Sequence, residues 1–302
     1  MESLRGMLYF ALVSMSGLFS AWTIRAGRRQ WQREGIEEEA RPAHPAVLLG
    51  IGFVTDFFDT LGIGSFAPTT SLFRLTRAIP DRLIPGTMNI GHAVPTIVEA
   101  LIYITVVEVD SLTLVLLIAA STAGAWLGAG VVAGLPRRAI QAGMGMAMLV
   151  AAGVMLSRLL HLWPAGGNLV ALSGRWLAVG LVGNFILGAL MTLGIGSYAP
   201  SLILFGLLGM NVKAIFPIMM GSCAFIMLAG GVQFVRKQSY SPRAALALTV
   251  GGVPAVLLAA FVVRELPLQT LSWLVLVVVV YTAVAMLRSA VAETGPPARR
   301  NR

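Results

Sequence analysis

The sequence predicts an all-α polytopic membrane protein of two inverted-topology repeats. Each repeat is a broken re-entrant hairpin followed by three transmembrane helices, and one extra transmembrane helix precedes them. Three observations predict this. The 302 residues are 57% hydrophobic and only 12% charged, about half the charged fraction of a soluble domain. Apolar runs close to spanning length recur, for example at 112–132, 139–156, 216–235 and 271–287, and a bilayer core takes about 20 such residues per helix. A nine-residue motif also occurs twice, 132 residues apart.

The extra helix is the apolar run 7–24, which is rather long for a signal peptide and shows no clear small-residue cleavage site, with a cleaved leader as the lesser alternative. The segment 25–41 that follows holds five arginines and resists translocation. The net charge of +9 does not point to nucleic acid, because the basic residues sit in short gaps between apolar runs and in the C-terminal tail. A single cysteine, Cys223, excludes a disulfide framework and a Cys/His metal cluster. No metal, cofactor or catalytic residue is expected.

The repeat sets the organisation. Thr60-Leu61-Gly62-Ile63-Gly64-Ser65-Phe66-Ala67-Pro68 returns as Thr192-Leu193-Gly194-Ile195-Gly196-Ser197-Tyr198-Ala199-Pro200, with one aromatic exchanged for another. At the same offset Pro85 falls on Pro217 and Met88 on Met220. The expected units are 1–45 (N-terminal helix and Arg/Glu-rich loop), 46–160 (repeat 1), 161–173 (linker), 174–288 (repeat 2) and 289–302 (basic tail). If each motif forms a hairpin that enters and leaves on one side, each repeat crosses an odd number of times and the two lie inverted. With residues 25–45 in the cytoplasm, 17 of the 22 Lys and Arg then fall on the cytoplasmic side. The N-terminus is outside and the C-terminus inside, as the positive-inside rule requires.

The motif reads as helix, break, helix. Glycine costs about 1 kcal/mol relative to alanine inside a helix, and Pro68 and Pro200 favour a first turn. Matching interruptions in two inverted halves point to a transporter's substrate site. Two helix N-termini facing the midplane offer free amides and a partial positive charge to an anion. The expected substrate-binding residues are Thr60, Gly62, Gly64, Ser65, Asn89, Thr192, Gly194, Gly196 and Ser197. The competing reading of the glycines is close helix packing.

Four ionisable groups lie inside apolar segments: Asp56 and Asp59 before the first motif, and His92 and Glu99 on the next helix. Asn89, His92, Thr96 and Glu99 share one helix face, and Pro85 and Pro95 are expected to kink that helix. Ionisable groups in a membrane face a cavity or a partner, so Asp56, Asp59, His92 and Glu99 are the proton-coupling candidates. A structural hydrogen-bond network is the alternative. Their counterparts at the repeat offset are Gly188, Met191, Ala224 and Gly231, so the polar set belongs to repeat 1. A carboxylate beside an anion site means either proton-coupled anion movement or a substrate that is not an anion. Asn184 and Ser222 in repeat 2 either line a cavity or join helices.

The stretches from Gly52 through Gly62-Ile63-Gly64-Ser65 and from Gly183 through Gly194-Ile195-Gly196-Ser197, each with a proline close behind, resemble the paired Gly-rich signatures of the TauE/SafE family. The resemblance covers about residues 46–288. Ser65 and Ser197 stand where the family pattern has glycine, and Asp56 and Asp59 add charge. The resemblance implies a permease in the lipid bilayer, in a bacterial inner membrane, that moves sulfite or another small anionic solute. A monomer and a homo-oligomer both stay open. A passive anion channel and a membrane scaffold without transport are the alternatives. An enzyme, for instance a hydrolase pairing Ser65 with His92, is not expected: Gly-Ile-Gly-Ser lacks the Gly-x-Ser-x-Gly elbow, and Ser197 has no histidine counterpart.

Overall fold

The computed structural model describes residues 2–34, 43–162, 167–193, 197–261 and 268–292. Among them the chain is helical, with no strand beyond one isolated bridge between Leu169 and Met210. The helices are α1 (Glu2–Glu34), α2 (Pro45–Thr60), α3 (Phe66–Thr76), α4 (Ile84–Gly91), α5 (Ala93–Val106), α6 (Ser111–Val132), α7 (Arg137–Leu159), α8 (Gly174–Met191), α9 (Tyr198–Leu207), α10 (Val212–Arg236), α11 (Pro242–Phe261) and α12 (Leu268–Ala292). Among the described residues seven helical spans are long and apolar enough to cross a membrane. They are α1, α4–α5 taken together, α6, α7, α8, α10 and α11. Sequence reading gave α8 to a hairpin, yet its 18 residues satisfy a crossing by length alone, whereas α2 has 16.

Local chemistry sets the helix ends. The Asp110 carboxylate accepts from the Thr113 amide at 2.8 Å and caps α6. Asn211 caps α10 by accepting from the Lys213 amide at 2.9 Å. Pro85 lies in the first turn of α4, where a missing N–H costs nothing, so it does not kink the helix. The interruption falls at His92 instead, just before Pro95. Pro95 has no N–H for the Gly91 carbonyl, and the Thr249 hydroxyl donates to that carbonyl at 2.7 Å. A backbone acceptor freed by proline is thereby satisfied from α11.

The packing is reciprocal. At the repeat offset α2 corresponds to α8, α3 to α9, α4–α5 to α10, α6 to α11 and α7 to α12. Accordingly α2 lies on α11 and α8 on α6, α3 on α12 and α9 on α7, and α11 on α4 and α5 as α6 lies on α10. Helices α7 and α12 meet as counterparts, and so do α5 and α10. Each half therefore completes the other, as in a self-complementary dimer interface. Of the seven spans α10 is the most enclosed, with 78% of its most apolar stretch buried.

Two ends can be told apart by contacts. At one, Gly27 lies beside Tyr240 and Pro242, Gly86 beside the Ser239 carbonyl, and the Arg74 guanidinium donates to Ser289 Oγ at 3.0 Å. At the other, Arg5 donates to the Val109 carbonyl at 2.7 Å, the Asp110 amide to Val170 at 2.9 Å and the Asn211 amide to Leu169 at 2.8 Å.

Close backbone approach holds the paired helices together. A Cβ on Gly188 would stand 2.0 Å from the Ser121 carbonyl oxygen, and one on Gly124 would stand 1.9 Å from that of Phe185. Small residues serve this purpose between membrane helices. Gly188→Ala should force α6 and α8 apart and lower stability by about 1–3 kcal/mol, read as a lower thermal unfolding midpoint in detergent. Gly153, with open space around its Cβ position, should accept alanine within about 0.5 kcal/mol.

Candidate functional site

The first break is a helix ending followed by a helix start. The Ile63 amide donates to the Phe58 carbonyl at 3.0 Å and the Gly62 amide to the Asp59 carbonyl at 2.8 Å. With Gly62 at φ 86° this is a Schellman ending of α2, which needs a left-handed residue at that point. Gly64 repeats the positive φ at 95°. A Cβ at Gly64 would meet nothing within 4 Å, whereas one at Gly62 would meet the ring of Phe216. Open space thus fronts Gly64. Helix α3 begins at Phe66 with no side chain capping its amides, and α9 begins at Tyr198 in the same way.

Of the predicted residues, the structure gathers Thr60, Gly62, Gly64, Ser65, Asp59 and Glu99 at this break. The Thr60 hydroxyl lies 2.7 Å from Glu99 Oε1 and 2.9 Å from the Asp56 carbonyl. The Ser65 hydroxyl faces Asp59. Tyr103 donates to the Thr60 carbonyl at 2.9 Å and stacks on Phe216, with ring centroids 5.3 Å apart. Asp59 is 2% exposed and Glu99 is fully buried.

Asp56 and His92 form a second polar cluster beside the first. Asp56 Oδ1 and His92 Nδ1 are 2.7 Å apart, and His92 Nε2 and Thr69 Oγ1 are 3.0 Å apart. The other oxygen of Asp56 lies against Gly252 without a hydrogen bond. His92 thus pairs with Thr69 rather than with Ser65, and both are fully buried. Asp56, His92 and Thr69 form one connected line of polar groups.

Asn89 does not join the break. Its amide donates to the Pro85 carbonyl at 2.8 Å and its oxygen lies against Gly230 of α10. In repeat 2, Thr192 turns its hydroxyl back to the Ala189 carbonyl at 2.7 Å. The Ser197 hydroxyl meets Cys223 Sγ at 2.9 Å. Gly194 and Gly196 lie outside the described residues. Asn184 joins helices: its amide reaches the Leu117 carbonyl at 2.8 Å and Ser222 Oγ at 3.0 Å.

At the break itself the halves are joined by a residue that sequence reading passed over. Tyr198 Oη lies 3.2 Å from Asp59 Oδ2 and 2.9 Å from Glu99 Oε2. Tyr198 stands in the second motif, and both carboxyls belong to repeat 1. The available signal was the one mismatch between the two motifs, Phe66 against Tyr198. A hydroxyl is what repeat 2 adds where repeat 1 has none. Thr69 was equally legible as a hydroxyl one turn beyond Ser65, but only the fold brings His92 to it.

The family model of the sulfite exporter TauE/SafE matches residues 2–155, about half of the chain, including the first motif and all four ionisable groups. No curated protein and no solved structure matches the chain. The matched residues include the Gly62–Gly64 break and the helices α2 to α5 that flank it, and with this match over half of its length the chain belongs to the sulfite exporter TauE/SafE family.

Proposed function

We propose that the protein is a secondary transporter of a small sulfite-like oxyanion, working by alternating access around the two helix breaks and coupled to protons. The single observation that carries this is the Tyr198 bridge between Asp59 and Glu99. Its hydroxyl has one hydrogen and two carboxyl partners, so both contacts form together only when one carboxyl carries a proton.

Magnitudes favour coupling. A unit negative charge about 4 Å from a carboxylate costs about 4 kcal/mol at an effective dielectric of 20. A helix N-terminus returns roughly 0.3–2 kcal/mol. Two uncapped N-termini together return about 0.6–4 kcal/mol, which matches one ionised carboxyl only at its upper end and falls short of two, so an anion enters when the carboxyls are neutral. The substrate then occupies the space before Gly64, near the amides of α3 and the Ser65 and Ser197 hydroxyls. The relay Asp56–His92–Thr69 supplies a route for the proton.

The contacts at the two ends support hairpins that enter from opposite sides. Gly52 packs on Leu248 and Asp56 on Gly252, so α2 runs alongside α11 away from the Pro242 end. The chain is back at that end by Arg74 and Gly86. Helix α8 runs alongside α6 from the opposite end, with the Leu172 amide on Thr113 Oγ1 and Gly124 against Phe185. The chain returns there at Met210 and Asn211, which bond to Gly167 and Leu169. In this reading residues 46–160 and 174–288 are the inverted repeats, and the C-terminus is cytoplasmic in a bacterial inner membrane.

Proteoliposomes loaded with sulfite test the function. Uptake should saturate and show counterflow, and an imposed pH gradient should drive it; conductance without saturation would make the protein a pore instead. Tyr198→Phe should cut gradient-driven flux about 10- to 100-fold, the equivalent of a charged hydrogen bond of about 1.5–3 kcal/mol. Asp59→Asn should leave flux that no longer responds to the gradient. Cysteine labelling at positions 77 and 213 should report opposite sides of the membrane, and a shared side would sink the inverted hairpins.

A further inference from the structure

A cavity of about 990 Å³ opens where α3 finishes, between the 77–82 loop, the turn before α7 and residues 281–285 of α12. Three arginines line it, Arg74, Arg77 and Arg82, with Asp81 as the one carboxylate among the lining residues. The 11 residues of α3 separate it from the break, a distance of roughly 15 Å at 1.5 Å per residue. It is therefore distinct from the candidate transport site.

The charges in the lining are not equivalent. Arg74 is fixed: Nη1 pairs with Asp81 Oδ2 at 2.5 Å and Nη2 donates to Ser289 Oγ at 3.0 Å. Gln141 Nε2 donates to the same Asp81 oxygen at 2.7 Å. The lining's carboxylate is thus engaged from two directions. Arg77 and Arg82 are exposed at the rim. Most of the remaining lining is apolar, with Phe73, Ile79 and Thr282 buried at its back and Leu75 and Tyr281 facing outward. Leu75 is 52% exposed and Tyr281 63%, and the exposed flank of α12 continues through Val277 and Val284.

We propose that this cavity binds the phosphate headgroup of an anionic phospholipid, with its acyl chains over Leu75, Tyr281 and the α12 flank. Guanidinium groups hold phosphate by charge-assisted hydrogen bonds. Basic pockets between membrane helices take anionic headgroups in the same way. A free phosphate satisfies the arginines but leaves the adjoining apolar wall without a partner; a lipid satisfies both. Arg77 holds its place through the ending of α3. The Ala78 amide bonds to the Phe73 carbonyl at 3.0 Å, and Arg77 sits at φ 50°. Its counterpart at the repeat offset is Gly209, at φ 85° in the same kind of ending. Repeat 1 thus keeps an arginine where the backbone favours glycine, and the guanidinium it gains lines the cavity.

The test uses the full chain purified in detergent, titrated with phosphatidylglycerol and with phosphatidylcholine of the same acyl chains, with bound lipid counted by native mass spectrometry. Phosphatidylglycerol should bind saturably and at least tenfold more tightly than phosphatidylcholine. Arg77→Ala with Arg82→Ala should remove at least tenfold of that affinity. Arg77→Lys with Arg82→Lys, which keeps the charge and controls for folding, should retain most of it. Equal binding of the two lipids, or unchanged affinity in the double alanine variant, would overturn the proposal. Displacement of the lipid by inorganic phosphate at equal concentration would also overturn it, by assigning the arginines to a free anion.

Discussion

The hydroxyl of Tyr198 carries one hydrogen and reaches two carboxyl oxygens, on Asp59 and on Glu99. Those carboxyls lie in an interior that gives them little water, and ionised groups there are costly unless paired. The rest of the centre is arranged around that pair. Thr60 reaches Glu99 from below, Ser65 faces Asp59, and Tyr103 holds the Thr60 carbonyl. Because Tyr198 belongs to the second motif and the carboxyls to the first half, the contact also ties the halves together. A proton count at one hydroxyl and the relation between two halves of the molecule are thus linked by the same atoms.

That linkage is the physical content of the proposed coupling. Alternating access needs an element with two arrangements that a ligand and a proton bias together. The Tyr198 contact is made across the interface between halves, so it strengthens or fails as they move. The Asp56–His92–Thr69 line lies within repeat 1 and does not depend on that interface. In the proposed cycle the first cluster senses the relative position of the halves and the second delivers a proton whatever that position is. Counterparts are missing in repeat 2, where Ala224 and Gly231 occupy the equivalent positions. The duplicated backbone is symmetric while its ionisable chemistry is one-sided.

The backbone solutions are shared between the repeats, and the side-chain solutions differ. Helices α3 and α9 both end in Schellman turns, through Arg77 in one and Gly209 in the other. Such an ending satisfies carbonyls that lipid cannot, so both copies keep it. Once the ending is secured, the residue in it is free to acquire another use, and Arg77 faces the cavity beside α12.

The sequence by itself determined the helical class, the break at Gly62 and Gly64, the duplication and the four buried ionisable groups. Each of these is a local property: apolar length, glycine and proline chemistry, or a charge inside an apolar run. It also placed the kink of the α4–α5 segment near Pro95, though not at His92. Tertiary structure alone decided which polar groups meet. His92 chose Thr69 over Ser65, Asn89 turned to α10, Thr192 turned back on its own helix, and Tyr198 crossed to Asp59 and Glu99. A hydrogen bond depends on distances of a few tenths of an ångström between elements far apart in the chain, and no spacing along one strand of sequence carries that information.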